Sequence, residues 1–375
     1  MFRKMCVLAS SLVALFFLIG TIPVPEKNFN PGAPSEEKEK TVEQVKKNIQ
    51  VLTGMPASQL NMVMDCIATS LGVRCQHCHV QDASGWLFEK DDKPAKGTAR
   101  KMIQMVMELN ATKFGGRNAI SCFTCHHGTT DPASMIPLPQ NPPRQHKEEQ
   151  EAEGSLPSVE QLLANYESAL GGKDGIKKIT SRISKGVAVD AQGHESPLEI
   201  VQENPDKYMV SVTMREGMYF THALNGATGW MSSPRGTREL PADEIAEMKQ
   251  EAALFPITRL QELSSKLHVS KKDTIDGAPV YCLSAPVDEK TTEKYYLDSA
   301  NGLLLRTVVV TETFIGNIPD QTDYADYKSI DGVKIPFTVR ISEVDPHDSS
   351  IHRFSSIEQN GTIDEQKFEM PKGKK

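Results

Sequence analysis

The sequence has 375 residues and a formal net charge of −7 at pH 7, with a pI near 5.9. A chain of this length accommodates two or three domains, each with its own hydrophobic core. The acidic balance argues against a nucleic-acid-binding protein, whose contact surface is basic. The charge is also uneven: residues 42–131 contain 10 Lys and Arg against 8 Asp and Glu, whereas residues 158–372 contain 23 against 33. The acidity therefore resides in the C-terminal part of the chain.

The N-terminus has the pattern of a targeting segment. Arg3 and Lys4 precede an apolar stretch that runs from Met5 to Val24. A short positive region followed by an apolar run is typical of a secretory signal peptide. The run is also nearly long enough to cross a bilayer, and no clear A-x-A cleavage site follows it, so an uncleaved inner-membrane anchor at residues 5–24 is the alternative. Both alternatives predict that the rest of the chain is exported to the periplasm.

Two polar stretches divide the exported chain. Residues 25–41 carry proline, glycine and many charges, and residues 132–157 carry six prolines and an acidic cluster. Such compositions favour extended linkers over packed structure. With residues 1–24 as the signal peptide or anchor, the predicted organisation is one domain at residues 42–131 and a second at residues 158–372.

The first domain shows the 3.6-residue periodicity of amphipathic helices. One helix is predicted after Pro56 and ends at Gly72, a second begins near Thr98 and ends before Gly115, and an earlier segment is also amphipathic. The apolar stripes are Leu60, Val63, Met64, Ile67 and Leu71 in the first helix, Ala99, Met102, Val106 and Leu109 in the second, and Val42, Val45, Ile49 and Leu52 in the earlier segment. The prediction is a small all-α module.

The second domain begins with a predicted helix from Val159 to Leu170 and contains a helical insertion at Ala242–Leu254. Most of the remainder consists of short segments rich in β-branched and aromatic residues, which favour strands. Turn signals separate these segments at Asn225-Gly226, Asn301-Gly302, Asp331-Gly332 and Asn360-Gly361. The pattern predicts a largely antiparallel sheet with a few helices packed on it, and an α+β multidomain chain overall.

Two C-x-x-C-H motifs lie in the first domain, Cys75-Gln-His-Cys78-His79 and Cys122-Phe-Thr-Cys125-His126. This is the attachment signature of c-type heme. Two residues between the cysteines let both sulfurs reach the two vinyl groups of a porphyrin from one turn, and the following imidazole then meets the iron. The alternative is a zinc site made of four cysteines, which requires neither histidine. The motifs therefore predict two covalently bound hemes c, attached through the four cysteines.

The predicted proximal iron ligands are His79 and His126. For the distal side, Met64 and Met102 lie on apolar helical stripes that precede the two motifs, so a thioether from each can approach an iron. The alternative is that both methionines fill the hydrophobic core. The competing methionines are Met55, Met62, Met105 and Met107.

Residues 42–131 resemble one two-heme half of the cytochrome subunit of photosynthetic reaction centres. The resemblance runs through VLTGMPASQLNMVMDCIATSLGVRCQHCH and TARKMIQMVMELNATKFGGRNAISCFTCHHG. It implies that each heme follows a helix whose methionine ligates the iron. In this sequence these two methionines are Met64 and Met102. His/Met ligation raises the reduction potential, and a six-coordinate iron has no open position for a substrate. Electron transfer is therefore predicted rather than catalysis.

The second domain resembles the periplasmic lipoprotein-sorting carriers, through LNGATGWMSS, YYLDSANGLLLRT and DYADYKSIDGVKIPFTVRI. The resemblance implies an open, curved antiparallel sheet (a half-barrel) with helices on its concave side, where such carriers hold acyl chains. These motifs form turns and strands, so the resemblance predicts the fold better than the function. A lipophilic ligand and a docking or spacing role remain alternatives, and no catalytic constellation is found here.

The sequence therefore predicts an exported diheme cytochrome c that is not an enzyme. It would transfer electrons between membrane-associated and periplasmic redox proteins, with a quinol-oxidising or reaction-centre-like protein as donor or acceptor. A diheme peroxidase is one alternative function. The other is a redox-linked carrier, in which the second domain delivers a lipophilic molecule to the hemes.

Overall fold

The computed structural model describes residues 39–132, 156–213 and 219–371. The predicted signal peptide or anchor, and most of both predicted linkers, lie outside the described residues. Contacts between residues group the described residues from Lys40 onward into one compact unit. Among the helices of the described ranges, none combines the length and the apolar character needed to cross a membrane. Below, the helical region denotes residues 39–132 and the β domain denotes residues 156–371.

The helical region contains four helices and one two-stranded antiparallel sheet. The helix predicted after Pro56 is confirmed, because a 3₁₀ turn leads into it and Gly72, at a φ of +64°, ends it. The next helix begins four residues before the predicted start, since Pro94 occupies its first turn. The elements are α1 Val42–Val45, α2 Leu60–Leu71, β1 Val80–Asp82, β2 Gly85–Leu87, α3 Pro94–Lys113 and α4 Cys122–His126. The region is mostly helical rather than purely α.

The amphipathic segment predicted before Pro56 does not form one long helix. It stops after four residues, and Asn48 and Leu52 adopt the left-handed conformation that breaks a helix. Val42 and Leu52 are buried as predicted, whereas Val45 is 44% exposed. The apolar residues thus reach the core from a looped segment instead of a helical stripe.

The β domain is built on one open antiparallel sheet, as predicted, and this sheet has thirteen strands among the described residues. The strand order is β8-β7-β6-β5-β4-β3-β15-β14-β13-β12-β11-β10-β9, so the last strand of the chain pairs with the first strand of the domain. The strands are β3 Ser181–Val189, β4 Glu195–Glu203, β5 Lys207–Thr213, β6 Tyr219–Asn225, β7 Thr228–Ser233, β8 Gly236–Glu239, β9 His268–Ile275, β10 Ala278–Pro286, β11 Thr291–Asp298, β12 Leu304–Thr313, β13 Gly316–Ile330, β14 Val333–Ser342 and β15 Ser350–Gln359.

Local sequence signals explain much of this domain. The predicted helix from Val159 begins at Ser158, whose hydroxyl accepts the Gln161 N–H. The turn between β13 and β14 is tight because Asp331 and Gly332 both adopt positive φ, as a two-residue hairpin requires. The helices are α5 Val159–Leu170, α6 Gly172–Lys177, α7 Ala242–Glu251 and α8 Pro256–Glu262.

Helices α5 and α8 pack on one side of the sheet and form its largest hydrophobic core. Tyr166, Leu260, Leu297 and Leu304 are almost completely buried in this core. Each side chain of this size contributes about 1.5–3 kcal/mol when it is fully removed from water. The helices therefore cover the sheet stably, and this arrangement matters for the cavity described below.

The helical region and the β domain share a second hydrophobic core. Ile315 and Ile318, from the β12–β13 turn and β13, are buried against Val42, Met55 and Val63 of the helical region. The sequence predicted two domains joined by a linker and did not predict this contact. The hairpin of β12 and β13 thus holds the helical region directly against the sheet.

Candidate heme-attachment site

The first motif occupies a 3₁₀ turn, Cys75–His77, followed by Cys78 and His79. The Nδ1 atom of His79 is buried and makes no hydrogen bond of standard geometry within the described residues. Burial is the largest cause that lowers the pKa of His79. The nearby charge of Lys96 lowers this pKa further, and the Phe88 backbone raises it. His79 is therefore predominantly neutral near pH 7, as an iron ligand must be.

The loop that follows the first motif places aromatic rings beside His79. The Phe88 ring meets the imidazole edge to face at 5.0 Å between centroids, and Trp86 stacks on Phe88 at 5.4 Å. Lys96 of α3 is buried and donates hydrogen bonds to the Phe88 and Lys90 carbonyls at 2.8 and 2.7 Å. This lysine ties the loop to α3, so that the aromatic pair keeps its place against the histidine.

The second motif forms helix α4. Its first turn is stabilised by Thr124, whose hydroxyl accepts the Ser121 N–H at 3.0 Å. The Nδ1 atom of His126 lies 2.9 Å from the Thr129 carbonyl oxygen. Since a carbonyl only accepts, Nδ1 carries the hydrogen and Nε2 retains the lone pair. A histidine that ligates a metal usually has this arrangement, in which a backbone carbonyl fixes the tautomer.

The segment that follows the second motif contacts the end of α2, which precedes the first motif. Gly128, two residues after His126, donates its N–H to the Ser70 carbonyl at 2.9 Å, near the end of α2. A Cβ atom on Gly72 would lie 2.0 Å from the Gly128 carbonyl oxygen, so only glycine permits this close approach, and its φ of +64° also favours glycine. Cys66 of α2 also lies close enough to Cys122 to raise its pKa, although burial is the larger cause and the pKa reaches about 11. The structure thus brings two sequence-distant motifs together.

The six methionines of the first domain differ in exposure. Met55 is fully buried, and Met62, Met64 and Met107 pack against the core shared with the β domain. Met102 and its neighbour Met105 are instead 38% and 41% exposed on α3. The buried residues of α3 include Ile103, Val106 and Asn110, so Val106 of the predicted stripe faces the core whereas Met102 does not. Met64 and Met102 as iron ligands remain predictions.

The cysteine and histidine donors are divided between the two motif turns. Within the described ranges, no three His, Cys, Asp or Glu side chains converge on a point that a metal ion could occupy. The four-cysteine zinc alternative needs such convergence. Each cysteine pair instead has its own histidine in the same turn. The exposed apolar side chains of the helical region that are large enough to contact a porphyrin include Trp86, Phe88, Met102, Met105 and Phe123.

Polar contacts join both motifs to the β domain. Arg74, immediately before Cys75, forms an ion pair with Asp345 at 2.8 Å. Asn118, shortly before the second motif, donates to the Thr313 carbonyl at 2.9 Å. The sequence contains no signal for either contact, because each joins residues about 200 or more positions apart.

Gly316 lies where the β12–β13 hairpin meets the second motif, and we expect its replacement to destabilise the protein. Its φ is +141°, and a Cβ atom there would lie 2.9 Å from Cβ of Ser121. Gly236 provides a control, since its φ is +126° but no atom lies within 4 Å of the added Cβ. G236A should cost about 1–2 kcal/mol through backbone strain. G316A should cost about 1–3 kcal/mol more through overpacking. Chemical denaturation measures both, and equal losses would contradict the close contact.

A cluster of carboxyl groups surrounds the junction between α2 and the β14–β15 loop. The pKa of Glu343 is raised to about 7. Desolvation is the largest cause, and repulsion from Asp320 and Asp348 comes next in size. Asp65 and Asp345 contribute to the same repulsion. Burial and neighbouring carboxylates also raise the pKa values of Asp65 and Asp348. The folded protein therefore holds protons here more tightly than the unfolded chain does.

This cluster predicts a pH dependence of stability. Because the pKa of Glu343 rises from 4.5 to about 7 on folding, its stabilising contribution is complete below pH 4.5 and disappears as the pH rises through 7. The side chain is partly exposed, so screening reduces the effect to ~1 kcal/mol. Denaturation between pH 5 and 8 should show the decline in wild type and a weaker decline in E343Q. E289Q, at an exposed turn away from the cluster, should behave as wild type, and an unchanged slope in E343Q would refute this assignment.

Both motif turns thus have the C-x-x-C-H pattern that is typical of covalent heme c attachment, and the Thr129 carbonyl fixes the tautomer of His126. Residues 22–168 match the family model described as photosynthetic reaction centre cytochrome C subunit. The resemblance drawn from the motifs is thereby confirmed for the N-terminal region.

Individual relatives agree with this similarity. Cytochrome c-554 from Chloroflexus aurantiacus is 34% identical over 87 residues, which are 21% of this chain and 20% of that protein. The photosynthetic reaction center cytochrome c subunit of Roseobacter denitrificans is 28% identical over 107 residues, or 27% of this chain and 29% of that one. The chain thus spans less than a third of the length of either relative.

Two solved structures are similar to the β domain. One is a LolA superfamily protein from Nitrosomonas europaea, with 11% identity and a TM-score of 0.37. The other is a DUF1329 family protein from Desulfovibrio piger, with 12% identity and a TM-score of 0.40. Each alignment covers 56% of this chain and 97% of the other chain. These are likenesses of fold alone.

Proposed function

We propose that this protein is a diheme cytochrome c that carries electrons. One heme is attached through Cys75 and Cys78, and the other through Cys122 and Cys125. The observation that carries the proposal is the contact of Gly128, two residues after the second motif, with Ser70, five residues before the first, which brings the chain segments that carry the motifs together. We expect the two hemes to lie close enough to exchange electrons without a large movement of the chain.

The residues of this chain hold and tune the hemes in distinct ways. His79 and His126 act as proximal ligands, and the Thr129 carbonyl keeps His126 in the tautomer that ligation requires. Met64 and Met102 act as distal ligands, which raises the reduction potential. When bound, heme c supplies reversible one-electron chemistry at the iron.

The proposed partners are redox proteins at the periplasmic face of the inner membrane, such as a quinol-oxidising or reaction-centre-like donor or acceptor. The exposed aromatic residues Trp86, Phe88 and Phe123 lie beside the two motifs and offer a contact surface near the hemes. Encounters between electron-transfer proteins are usually small and transient.

A spectroelectrochemical titration of protein matured with heme tests this proposal. We expect two hemes per chain, high reduction potentials and a near-infrared iron–methionine band. Low potentials without that band would overturn the methionine ligation. A high-spin ferric heme that reduces peroxide would replace the carrier function with that of a diheme peroxidase.

A cavity in the β domain supports a second candidate function, the binding of a lipophilic molecule. The cavity has a volume of about 550 Å³ and lies between the sheet and helices α5, α7 and α8. Its wall is largely apolar and includes Ile200, Ile335, Phe354 and Ile357. A volume of this size is ordinary for a ligand pocket. The β domain would then bind a small amphiphile, in addition to holding the cytochrome module.

A further inference from the structure

Lys96 of α3 is a buried cation beside the first motif, and it is only 8% exposed. An ammonium group has three N–H donors. The Nζ atom of Lys96 has three acceptors, namely the carbonyl oxygens of Phe88 and Lys90 at 2.8 and 2.7 Å and a carboxylate oxygen of Asp91 at 2.9 Å. These acceptors match the donors of the charged form in number, so the site holds a complete ammonium charge largely away from water.

The charge of Lys96 lies close to the histidine of the first motif. Phe88, whose carbonyl accepts from Lys96, has its ring 5.0 Å from the His79 imidazole, measured between centroids. Burial is the largest cause that lowers the pKa of His79, and three positive charges lower it further. In order of size, these charges belong to Lys96, Arg100 and Lys93. The cation nearest in effect to the predicted proximal ligand is therefore Lys96.

Asp91 is the counterion of Lys96 and does not cancel its charge. This carboxylate also pairs with Arg100 at 3.0 Å, so one anion faces two cations. The Asp91 side chain is 46% exposed, whereas the Lys96 side chain is 10% exposed. Water and salt screen an exposed charge more strongly than a buried one. The balance of charge on this side of the first motif is positive.

The second motif has different electrostatic surroundings. Burial is the largest cause that raises the pKa of Cys122, and the Cys66 thiol is the next. Asn118, four residues before Cys122, donates to the Glu312 carboxylate at 3.2 Å. This charged contact involves an anion, in contrast to the cation beside His79. A change at Lys96 should therefore act mainly on the first motif.

We propose that Lys96 raises the reduction potential of the first heme and leaves that of the second nearly unchanged. Reduction transfers one electron from the redox partner to ferric iron, so the charge at the iron falls by one unit. A nearby cation in a poorly screened site stabilises the reduced state relative to the oxidised one. This inference rests on the proposed diheme function and gives Lys96 an electrostatic role that is distinct from iron ligation.

A spectroelectrochemical titration of K96Q in the diheme holoprotein tests the proposal. Glutamine keeps an amide donor for the loop carbonyls and removes the charge. At a fixed applied potential, the ratio of reduced to oxidised first heme should fall about three- to tenfold, and the second wave should not move. A tenfold change corresponds to about 59 mV for a one-electron couple. K101Q, which removes an exposed lysine from the same helix, should leave both waves as in wild type.

Removal of the counterion should have the opposite effect. D91N removes the negative charge that offsets Lys96 and Arg100, while the ammonium keeps both carbonyl acceptors. The ratio of reduced to oxidised first heme should rise about two- to threefold at the same applied potential. D91N therefore decides the question if K96Q does not fold. A variant with alanine at both Cys122 and Cys125 carries only the first heme and identifies its wave.

K96R separates charge from packing, because it keeps the cation and changes the shape of the side chain. It should retain both wild-type ratios to within about twofold. Equal losses in K96Q and K96R would overturn the role of the charge, and equal shifts of both waves would overturn its selectivity. Unmoved waves in K96Q and D91N, with two hemes bound per chain, would overturn the proposal but not the carrier function. Fewer than two hemes in wild type would overturn the proposed function itself.

Discussion

Replacing Cys122 and Cys125 together with alanine should reduce covalently bound heme from two per chain to one. Heme c is retained by two thioether bonds, and the proximal histidine alone does not hold it covalently. The first motif lies on a separate turn with its own cysteines and histidine, so its heme should remain attached. The pyridine hemochrome absorbance per mole of protein measures the ratio, and mass spectrometry of the denatured chain checks that the remaining heme is covalent.

Cys66 and Cys282 provide controls for this experiment. Cys66 lies near Cys122 but belongs to no C-x-x-C pair, and Cys282 is buried in β10. C66A and C282A should each retain two hemes per chain. If the Cys122 and Cys125 double variant also retained two, the second motif would not be an attachment site. Loss of both hemes would instead indicate that the two turns fold only as a unit, as their glycine contact permits.

Replacing Met102 with histidine should lower the reduction potential of one heme by about 0.1–0.3 V. The thioether of methionine favours ferrous iron relative to an imidazole, and axial ligands set heme potentials over a range of about 0.8 V. Met102 is exposed on α3, away from the hydrophobic core, so a histidine can be accommodated there without a packing loss. The same spectroelectrochemical titration measures the potential, and the near-infrared iron–methionine band should fall by about half.

Met105 is the matched control, because it lies on the same helix with nearly the same exposure. M105L should leave both potentials and the near-infrared band as in wild type. If M105L removed half of the band and M102H left it intact, the ligand would be Met105. A near-infrared band of wild-type intensity in both variants would show that neither methionine of this pair ligates the iron.

Local signals in the sequence were enough to predict most of the elements. The α2 stripe, its termination at Gly72 and the α5 helix from Val159 to Leu170 all follow from periodicity and capping, which depend on neighbouring residues. The hairpin at Asp331-Gly332 likewise follows from local turn chemistry. The α3 stripe was predicted less well, since Ile103 and Asn110 rather than Met102 face the core. There, packing against other elements decided which face of the helix is buried.

The sequence by itself predicted the class of cofactor and the kind of fold. C-x-x-C-H spacing is a property of five consecutive residues, and alternating strands with turn signals are properties of short segments. The tertiary structure alone decided the contact of Gly128 with Ser70 and the core shared by Ile315 and Val63. These depend on residues that are far apart in the chain, and their free energy comes from burial and desolvation, which exist only once the sheet and helices have packed.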